Sequence, residues 1–242
     1  MTQDQALGYF VTGTDTEIGK TLITSALLHA LVRRGVRAIG MKPVAAGAEW
    51  RDGDWHNDDA DALALAGNTR APRELTTPYL WKEPIAPHIA AKQEGQAMSL
   101  QHILACHQQL QHDADAVVVE GVGGFCVPLG DDFDTADLAA SLQLPVVLVV
   151  GLRLGCINHA VLTAEAILAR KLRLAGWVAN TVDANMLVST DNIATLKRLL
   201  PAPLLGLVPR LAQPTAGNAA AHLDFSVLPG WPATVAQSAS KP

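Results

Sequence analysis

The sequence is poor in cysteine, with three in 242 residues: Cys106, Cys126 and Cys156. An odd number of cysteines without a CxxC pair argues against both a disulfide framework and a zinc site. We interpret Cys106 as a core residue. Cys156 lies at a predicted helix start, which depresses a thiol pKa, but no spacing indicates a dedicated base. We therefore favour a packing role for Cys156 over a nucleophilic one.

The sequence also lacks a dense run of lysine and arginine, and its formal net charge is −5. This charge argues against binding to nucleic acid or to anionic lipid. No positively charged region precedes the first apolar stretch, so no signal peptide is predicted. The longest apolar run, residues 144–151, is far too short to span a bilayer. We expect a cytoplasmic protein that does not bind membranes.

The apolar content of 49% is sufficient for one well-buried α/β domain over residues 1–242. Apolar runs with β-branched residues alternate with helix-patterned segments, which is typical of right-handed βαβ crossovers. We predict an α/β fold with a doubly wound, mostly parallel sheet and helices on both faces. The predicted strands are 9–11, 36–41, 116–119, 146–150, 177–179 and 204–208, and the predicted helices are 20–34, 57–67, 99–111, 158–170 and 190–199.

Two segments have less regular patterns. Residues 68–98 are rich in proline and threonine, and we interpret them as an insertion that covers the substrate. Residues from about 213 to 242 are rich in alanine, proline and serine, and we expect them to form a flexible tail.

The most informative motif is Gly-Thr-Asp-Thr-Glu-Ile-Gly-Lys-Thr at residues 13–21. It follows a predicted strand and opens an amphipathic helix, which is the context of a phosphate-binding loop (P-loop). Backbone N–H groups at the helix start can cradle a phosphate, Lys20 can reach the β- and γ-oxygens, and the Thr21 hydroxyl can ligate Mg²⁺. Five residues separate Gly13 from Gly19, one more than in the common motif. The sequence therefore predicts a nucleotide site.

Charged residues follow two predicted strands at their carboxyl ends, where ligands bind in such sheets. Lys42 follows the second strand and can neutralise charge on a transferring phosphoryl group or an anionic substrate. Glu120 follows the third strand, beside glycines that let the backbone approach a ligand, and is a candidate Mg²⁺ ligand. One of Asp58, Asp59 and Asp61 can complete the metal shell, while the other two serve as helix N-terminal charge.

A second anion site is predicted at residues 155–158, where a helix begins after the fourth strand. Free backbone N–H groups at that helix start suit a carboxylate. His88 and His159 lack metal-type spacing, and we interpret each as a hydrogen-bonding or packing histidine.

Taken together, these motifs closely resemble the dethiobiotin synthetase family. The resemblance covers residues 8–212 and depends on segments 10–21, 42–44, 87–88, 119–124, 155–159 and 176–180. The extra P-loop residue is itself a feature of that family. The resemblance implies an ATP- and Mg²⁺-dependent carboxylation and ring closure of 7,8-diaminopelargonate with CO₂, giving dethiobiotin, ADP and phosphate through a carbamate and a carbamic-phosphoric anhydride. Such chemistry needs positioning and electrostatics but no protein nucleophile.

The resemblance also implies roles for individual residues. Those implied to bind ATP are Glu17, Ile18, Gly19, Lys20, Thr21, Leu22, Gly121, Val122 and Gly123, with Asn180, Thr181, Val208, Pro209 and Arg210 around the adenine. Thr21, Asp59 and Glu120 are the implied Mg²⁺ ligands, with Asp61 as the alternative to Asp59. Thr16 faces the carbamate, while Lys20 and Lys42 stabilise the transferring charge. The substrate carboxylate is bound by Gly155, Cys156, Ile157 and Asn158 across the interface of a homodimer.

One position departs from the family pattern. The family commonly has serine where this chain has Ala46, so a hydroxyl contact to the diamine–carbamate end of the substrate is missing. A lost neutral hydrogen bond costs about 0.5–1.5 kcal/mol. We therefore expect weaker substrate binding without loss of catalysis, unless the diamine is a different one.

Two other classes of protein fit less well. Partition and septum-positioning ATPases carry a second lysine early in the P-loop, where this chain has Asp15, and they need a basic patch or an amphipathic tail that residues 219–242 do not offer. A glutamine-fed amide synthetase would usually bring an amidotransferase domain, which this chain length excludes.

Overall fold

A parallel six-stranded sheet forms the centre of the computed structural model, which describes residues 6–233. Its strand order is β10-β9-β8-β1-β7-β2, and two-stranded pairs β3-β6 and β4-β5 lie outside it. The strands are β1 (Leu7–Gly13), β2 (Ala38–Met41), β3 (Val44–Ala46), β4 (Glu49–Arg51), β5 (Asp54–His56), β6 (Tyr79–Trp81), β7 (Ala116–Glu120), β8 (Val146–Leu152), β9 (Leu174–Thr181) and β10 (Leu204–Val208).

Helices cover both faces of this sheet. One face packs against α4 to α8 and the other against α1, α2 and α9. The helices are α1 (Lys20–Arg33), α2 (Asp58–Ala66), α3 (Arg73–Thr76), α4 (Pro87–Gln93), α5 (Leu100–Asp113), α6 (Thr135–Leu142), α7 (Cys156–Ala169), α8 (Ser189–Leu199) and α9 (Ala216–Ala220). No helix within residues 6–233 has the length and apolar character needed to cross a membrane.

The continuous apolar runs of β7 and β8 are buried along their whole length because helices cover the sheet on both sides. All five neighbouring strand pairs are parallel, so their carboxyl ends lie at one edge. At that edge α2 begins where the Asn57 side chain accepts a hydrogen bond from the Ala60 amide, which places the aspartates of its first turn beside the sheet. The predicted doubly wound fold is confirmed.

Several elements were not predicted. The helix α6 begins with a capping box formed by Asp134 and Asp137 and was missed. The hairpin of β4 and β5 was also missed, and the segment 68–98, predicted to be the least regular, contains α3, β6 and α4.

The expected tail from residue 213 is wrong for residues 213–233. They include α9, which packs against α1, and the side chains of Phe225 and Leu228 are buried in the core beside the sheet. Apolar burial stabilises this segment despite its composition. The remainder of the predicted tail, 234–242, lies outside the described residues.

Candidate active site

The loop between β1 and α1 turns sharply at Gly19, whose φ of 86° is in the left-handed region. A Cβ on Gly19 would lie 2.3 Å from the Asn180 amide nitrogen, so the turn leaves no room for a side chain. The helix α1 begins directly afterwards with Lys20 and Thr21. The Lys20 Nζ donates a 2.8 Å hydrogen bond to the Asp15 carbonyl, so the lysine curls back over the loop. The free N–H groups of the helix start lie at the same place.

Four polar side chains meet beside this loop: Thr21, Lys42, Asp59 and Glu120. The register of β2 against β7 pairs Met41 with Val119, which brings the next residues, Lys42 and Glu120, side by side. The Lys42 Nζ lies 2.5 Å from Glu120 Oε1 and 3.0 Å from Asp59 Oδ2. The Thr21 hydroxyl lies 2.7 Å from Asp59 Oδ1 and 2.9 Å from Glu120 Oε1. Residues from four separate elements therefore form one connected cluster.

The cluster is largely removed from water, with Lys42 3% and Glu120 0% exposed. Burial by itself would lower the Lys42 pKa, but the Glu120 and Asp59 carboxylates outweigh it and raise that pKa. Burial would likewise raise the Asp59 pKa, but the Lys42 charge and the Thr21 hydroxyl outweigh it and lower that pKa. Burial and then the Lys42 charge lower the Lys20 pKa to about 8. These pKa shifts favour the charged forms of Lys42 and Asp59.

The oxygen atoms of the cluster fit Mg²⁺. Glu120 Oε2 is buried and has no hydrogen-bond partner, so one carboxylate oxygen is available for a ligand. No group of three or more His, Cys, Asp or Glu residues within 6–233 is arranged to hold a metal ion. Mg²⁺ is usually bound through one or two carboxylates, together with phosphate oxygens and waters. The two carboxylates and the Thr21 hydroxyl meet that requirement.

Asp61 lies apart from the cluster. Its Oδ2 is 3.0 Å from His56 Nδ1 and 3.6 Å from Arg51 Nη2. Asp58 also points away and pairs with Arg51 at 2.7 Å. Of the three aspartates offered by the sequence, Asp59 is the one that contacts Thr21 and Lys42.

A cavity of about 920 Å³ opens over the P-loop and the cluster. Ten of the predicted site residues line it: Thr16, Glu17, Gly19, Lys20, Thr21, Lys42, Ala46, Asp59, Val122 and Gly123. Residues 84–87 and Val127 also line it, and none of them was predicted as an individual site residue. Two features of the sequence indicated that residues 84–87 contribute to the site: the predicted covering role of 68–98 and the Pro87-His88 motif.

The other predicted residues lie outside this cavity. Ile18 is buried in the core, and Leu22 packs against the same core. Gly121 follows Glu120, and its carbonyl lies 3.4 Å from the Lys42 Nζ. Thr181 is the last residue of β9, and its neighbour Asn180 pairs with Val208, the last residue of β10. The residues assigned to adenine therefore lie together at the carboxyl ends of these two strands. Residues 155–158 start α7, and Leu154 just before them is 96% exposed.

Two contacts at the P-loop were missed by sequence reasoning. The Asn180 Nδ2 donates a 2.7 Å hydrogen bond to the Ile18 carbonyl, so this side chain contacts the loop itself. Arg153, one residue after β8, forms an ion pair with Asp15. No local pattern marks either contact, because the partners are 162 and 138 residues apart in the chain.

Comparisons with known proteins agree with this geometry. Residues 7–217 match a protein family described as an AAA domain. Among solved structures, MinD cell division protein of Aquifex aeolicus superposes with a TM-score of 0.52 at 13% identity, covering 90% of this chain and 88% of that one. A ParA family ATPase from Chlorobium tepidum TLS gives a TM-score of 0.51 at 13% identity, covering 86% of each chain. At such identities the likeness concerns the fold alone: a parallel sheet with helices on both faces and a P-loop after its first strand.

The particular family follows from a much nearer relative. The chain is 63% identical over 227 residues to ATP-dependent dethiobiotin synthetase BioD of Janthinobacterium sp. (strain Marseille), with 92% of this chain and 96% of that protein covered. The chain belongs to the dethiobiotin synthetase family and is a ligase.

Proposed function

We propose that the enzyme carboxylates 7,8-diaminopelargonate with CO₂ and closes the ring to dethiobiotin, converting ATP to ADP and phosphate. The observation that carries this proposal is the meeting of Lys20, Thr21, Lys42 and Asp59 at one cavity, with Glu120 buried against Thr21 and Lys42. This arrangement suits the transfer of a phosphoryl group to an anionic substrate, because both reactants carry negative charge. The high identity to a dethiobiotin synthetase supports the same conclusion.

The proposed reaction proceeds in three steps. One amine of the substrate adds to CO₂ and loses a proton, which gives a carbamate. A carbamate oxygen then takes the γ-phosphoryl group of ATP, and ADP leaves. The second amine attacks the carbonyl carbon of this mixed anhydride and loses a proton, the bond from that carbon to the phosphate oxygen breaks, phosphate leaves, and the cyclic urea forms. Each step moves negative charge, so correctly placed cations can supply most of the catalysis.

Each residue of the cluster has a distinct role in this proposal. Lys20 binds the nucleotide phosphates, and Lys42 stabilises charge that develops on the transferring group. The backbone at Glu17 to Leu22 surrounds the phosphates, and Thr16 faces the carbamate. Thr21, Asp59 and Glu120 would hold Mg²⁺, which when bound supplies positive charge to the phosphate oxygens. Asn180 and Thr181, with Val208 to Arg210, would surround the adenine.

The proposed reaction is tested directly by mass spectrometry. Diaminopelargonate, ATP, Mg²⁺ and ¹³C-bicarbonate are expected to give dethiobiotin one mass unit heavier than the unlabelled product, with one ADP released per molecule formed. Omitting ATP should abolish the product. ATP hydrolysis without a cyclic urea, with diaminopelargonate present, would refute the proposed function.

The metal ligands are tested by two matched variants. Asp59→Asn should raise the Mg²⁺ concentration needed for half-maximal activity about tenfold or more, because it removes a charged ligand. Asp61→Asn should leave that requirement unchanged, since Asp61 contacts His56 and Arg51 instead. The measurement is a Mg²⁺ titration at saturating ATP, and the reverse ranking would assign the ligand to Asp61.

Ala46 lines the cavity and gives a further test of the substrate. If the serine common in the family binds the diamine end, Ala46→Ser should tighten diaminopelargonate binding by up to about tenfold. The measurement is the KM or Kd for diaminopelargonate, with the KM for ATP as the internal control. Unchanged or weaker binding would mean that the site compensates for Ala46 or that the diamine differs.

We also propose a homodimer in which residues 155–158 serve the neighbouring subunit. These residues do not line the cavity of their own chain, although the amides at the start of α7 are suited to a carboxylate. Leu154, Leu162 and Leu168, on or beside α7, are exposed and apolar, as expected of a surface that another subunit covers.

A further inference from the structure

We propose that Asn180 and Arg153 are positioning residues that hold the P-loop in its phosphate-binding conformation from outside the loop. This inference rests on the proposed function, because it assigns the loop at 13–21 to nucleotide phosphates. It adds to that function two residues that act through the loop backbone and the Asp15 carboxylate.

Asn180 contacts the loop at its tightest turn. Its side chain is 6% exposed, and its Nδ2 donates a 2.7 Å hydrogen bond to the Ile18 carbonyl. The same amide group packs against the α-carbon of Gly19, where a Cβ would come within 2.3 Å. Gly19 is the residue that directs the chain into α1, so the amide stabilises the turn that presents the backbone N–H groups.

Arg153 contacts the loop at its other end. Its guanidinium pairs with Asp15 Oδ2, while Asp15 Oδ1 accepts a 2.8 Å hydrogen bond from the Thr16 amide. The Asp15 carbonyl accepts a further hydrogen bond from Lys20. One residue thus receives hydrogen bonds from the next amide, from the phosphate-binding lysine and from a neighbouring strand end.

Arg153 and Asn180 both lie on adjacent, paired strands of the central sheet or directly after them. Arg153 and Asn180 lie at the carboxyl ends of β8 and β9, which are paired from Val146 to Leu152. The Asp183 amide also donates to the Leu152 carbonyl, which connects the two strand ends beyond the ladder. The contacts of Arg153 with Asp15 and of Asn180 with Ile18 therefore connect the loop to two adjacent strands that carry no predicted catalytic residue.

The variant Asn180→Ala distinguishes a role of Asn180 in positioning the P-loop from a role in contacting adenine alone. A positioning residue should weaken the binding of inorganic tripolyphosphate about tenfold, equivalent to about 1.4 kcal/mol, and the binding of ATP by at least that factor. A residue that only contacts adenine should weaken ATP alone. Isothermal titration calorimetry on the full chain measures both Kd values. Asn192→Ala is the matched control, because the Asn192 amide also donates to a backbone carbonyl, that of Val188, away from the site.

The variant Asp15→Asn distinguishes a positioning role of the ion pair with Arg153 from a direct electrostatic effect of the Asp15 carboxylate on the phosphates. Removing a carboxylate beside the phosphates should by itself tighten tripolyphosphate binding, because one repulsion is lost. Asparagine retains the oxygen that accepts from the Thr16 amide but loses the ion pair with Arg153. Positioning therefore predicts the opposite sign, a Kd raised about three- to tenfold. Arg153→Gln should raise the Kd at least as much.

The exposed ion pair of Arg37 and Asp115 provides the matched control for that test. Arg37 directly precedes β2 and Asp115 directly precedes β7, so this pair lies at the amino ends of the strands, away from the site. Its side chains are exposed to solvent, as are those of Arg153 and Asp15. Arg37→Gln and Asp115→Asn should leave both Kd values within twofold of the wild type.

The possible outcomes are distinct. Weaker binding of both tripolyphosphate and ATP in Asn180→Ala, with weaker tripolyphosphate binding in Asp15→Asn, supports the inference. Loss confined to ATP, or tighter tripolyphosphate binding in Asp15→Asn, overturns it while leaving the proposed function intact. A wild type that binds neither ligand overturns both. If Asn180→Ala does not fold, the sign of the Asp15→Asn effect decides.

Discussion

Lys42→Ala is expected to lower kcat by about 10²–10³-fold, the usual cost of removing one group that stabilises a developing charge. The Lys42 ammonium is buried and held by Glu120 and Asp59 beside the cavity, and a water molecule in its place would carry no positive charge. Its proposed action is on charge that appears during phosphoryl transfer, and the KM for ATP should therefore change little. Steady-state kinetics at saturating substrates measure the loss.

The variant Lys20→Ala is expected to affect ATP binding rather than kcat, in contrast to Lys42→Ala. Lys20 is proposed to contact the nucleotide in both the ground state and the transition state, so its loss should mainly raise the KM and Kd for ATP. Turnover near that of the wild type in Lys42→Ala at saturating substrates would refute the role assigned to Lys42.

The folded fraction of Lys42→Ala must be measured separately. The variant removes the ion-pair partner of the fully buried Glu120, and breaking a buried pair in this way costs about 3–5 kcal/mol. Calorimetric stoichiometry of ATP binding gives the concentration of folded sites, and kcat is calculated per folded site. Thermal unfolding with and without Mg²⁺ then shows whether a divalent cation restores the stability that Lys42 supplied.

The fold and the polar cluster were predictable because their determinants are local. The Val-rich runs and the helix stripes between them predicted the doubly wound sheet. In such a sheet the residue after each strand lies at a shared edge, so Lys42 and Glu120 were expected near the P-loop. The register of β2 against β7 places these two side chains in contact.

The parts that could not be predicted depend on long-range packing. The hairpin of β4 and β5 and the short strand β6 have runs of only three residues, too short for a periodic signal. Residues 213–233 resemble a linker in composition, yet they pack because Phe225 and Leu228 find an apolar surface beside α1. The contacts of Arg153 and Asn180 with the P-loop likewise depend on which strands become neighbours in the sheet.

The proposed dimer requires a variant at the start of α7 that leaves the helix intact. Gly155 has a φ of 94°, so Gly155→Glu would combine backbone strain with the added charge. Asn158 is exposed in the first turn of α7, and Asn158→Glu adds a carboxylate there without that strain. The added charge should repel the substrate carboxylate that the helix start is proposed to bind.

Mixing Lys42→Ala with Asn158→Glu is expected to restore activity from two inactive proteins. If each site uses the cavity of one chain and the α7 start of the other, a heterodimer has one site with both lesions and one with neither. Equal mixing with free subunit exchange then leaves roughly a quarter of all sites intact. The measurement is dethiobiotin formation before and after exchange, with exchange confirmed by native mass spectrometry. Lys42→Ala mixed with Lys20→Ala at limiting ATP is the control, because both lesions lie in the same cavity and every mixed site keeps one. Absence of recovery despite confirmed exchange would place the whole site, including the carboxylate contacts, within a single chain.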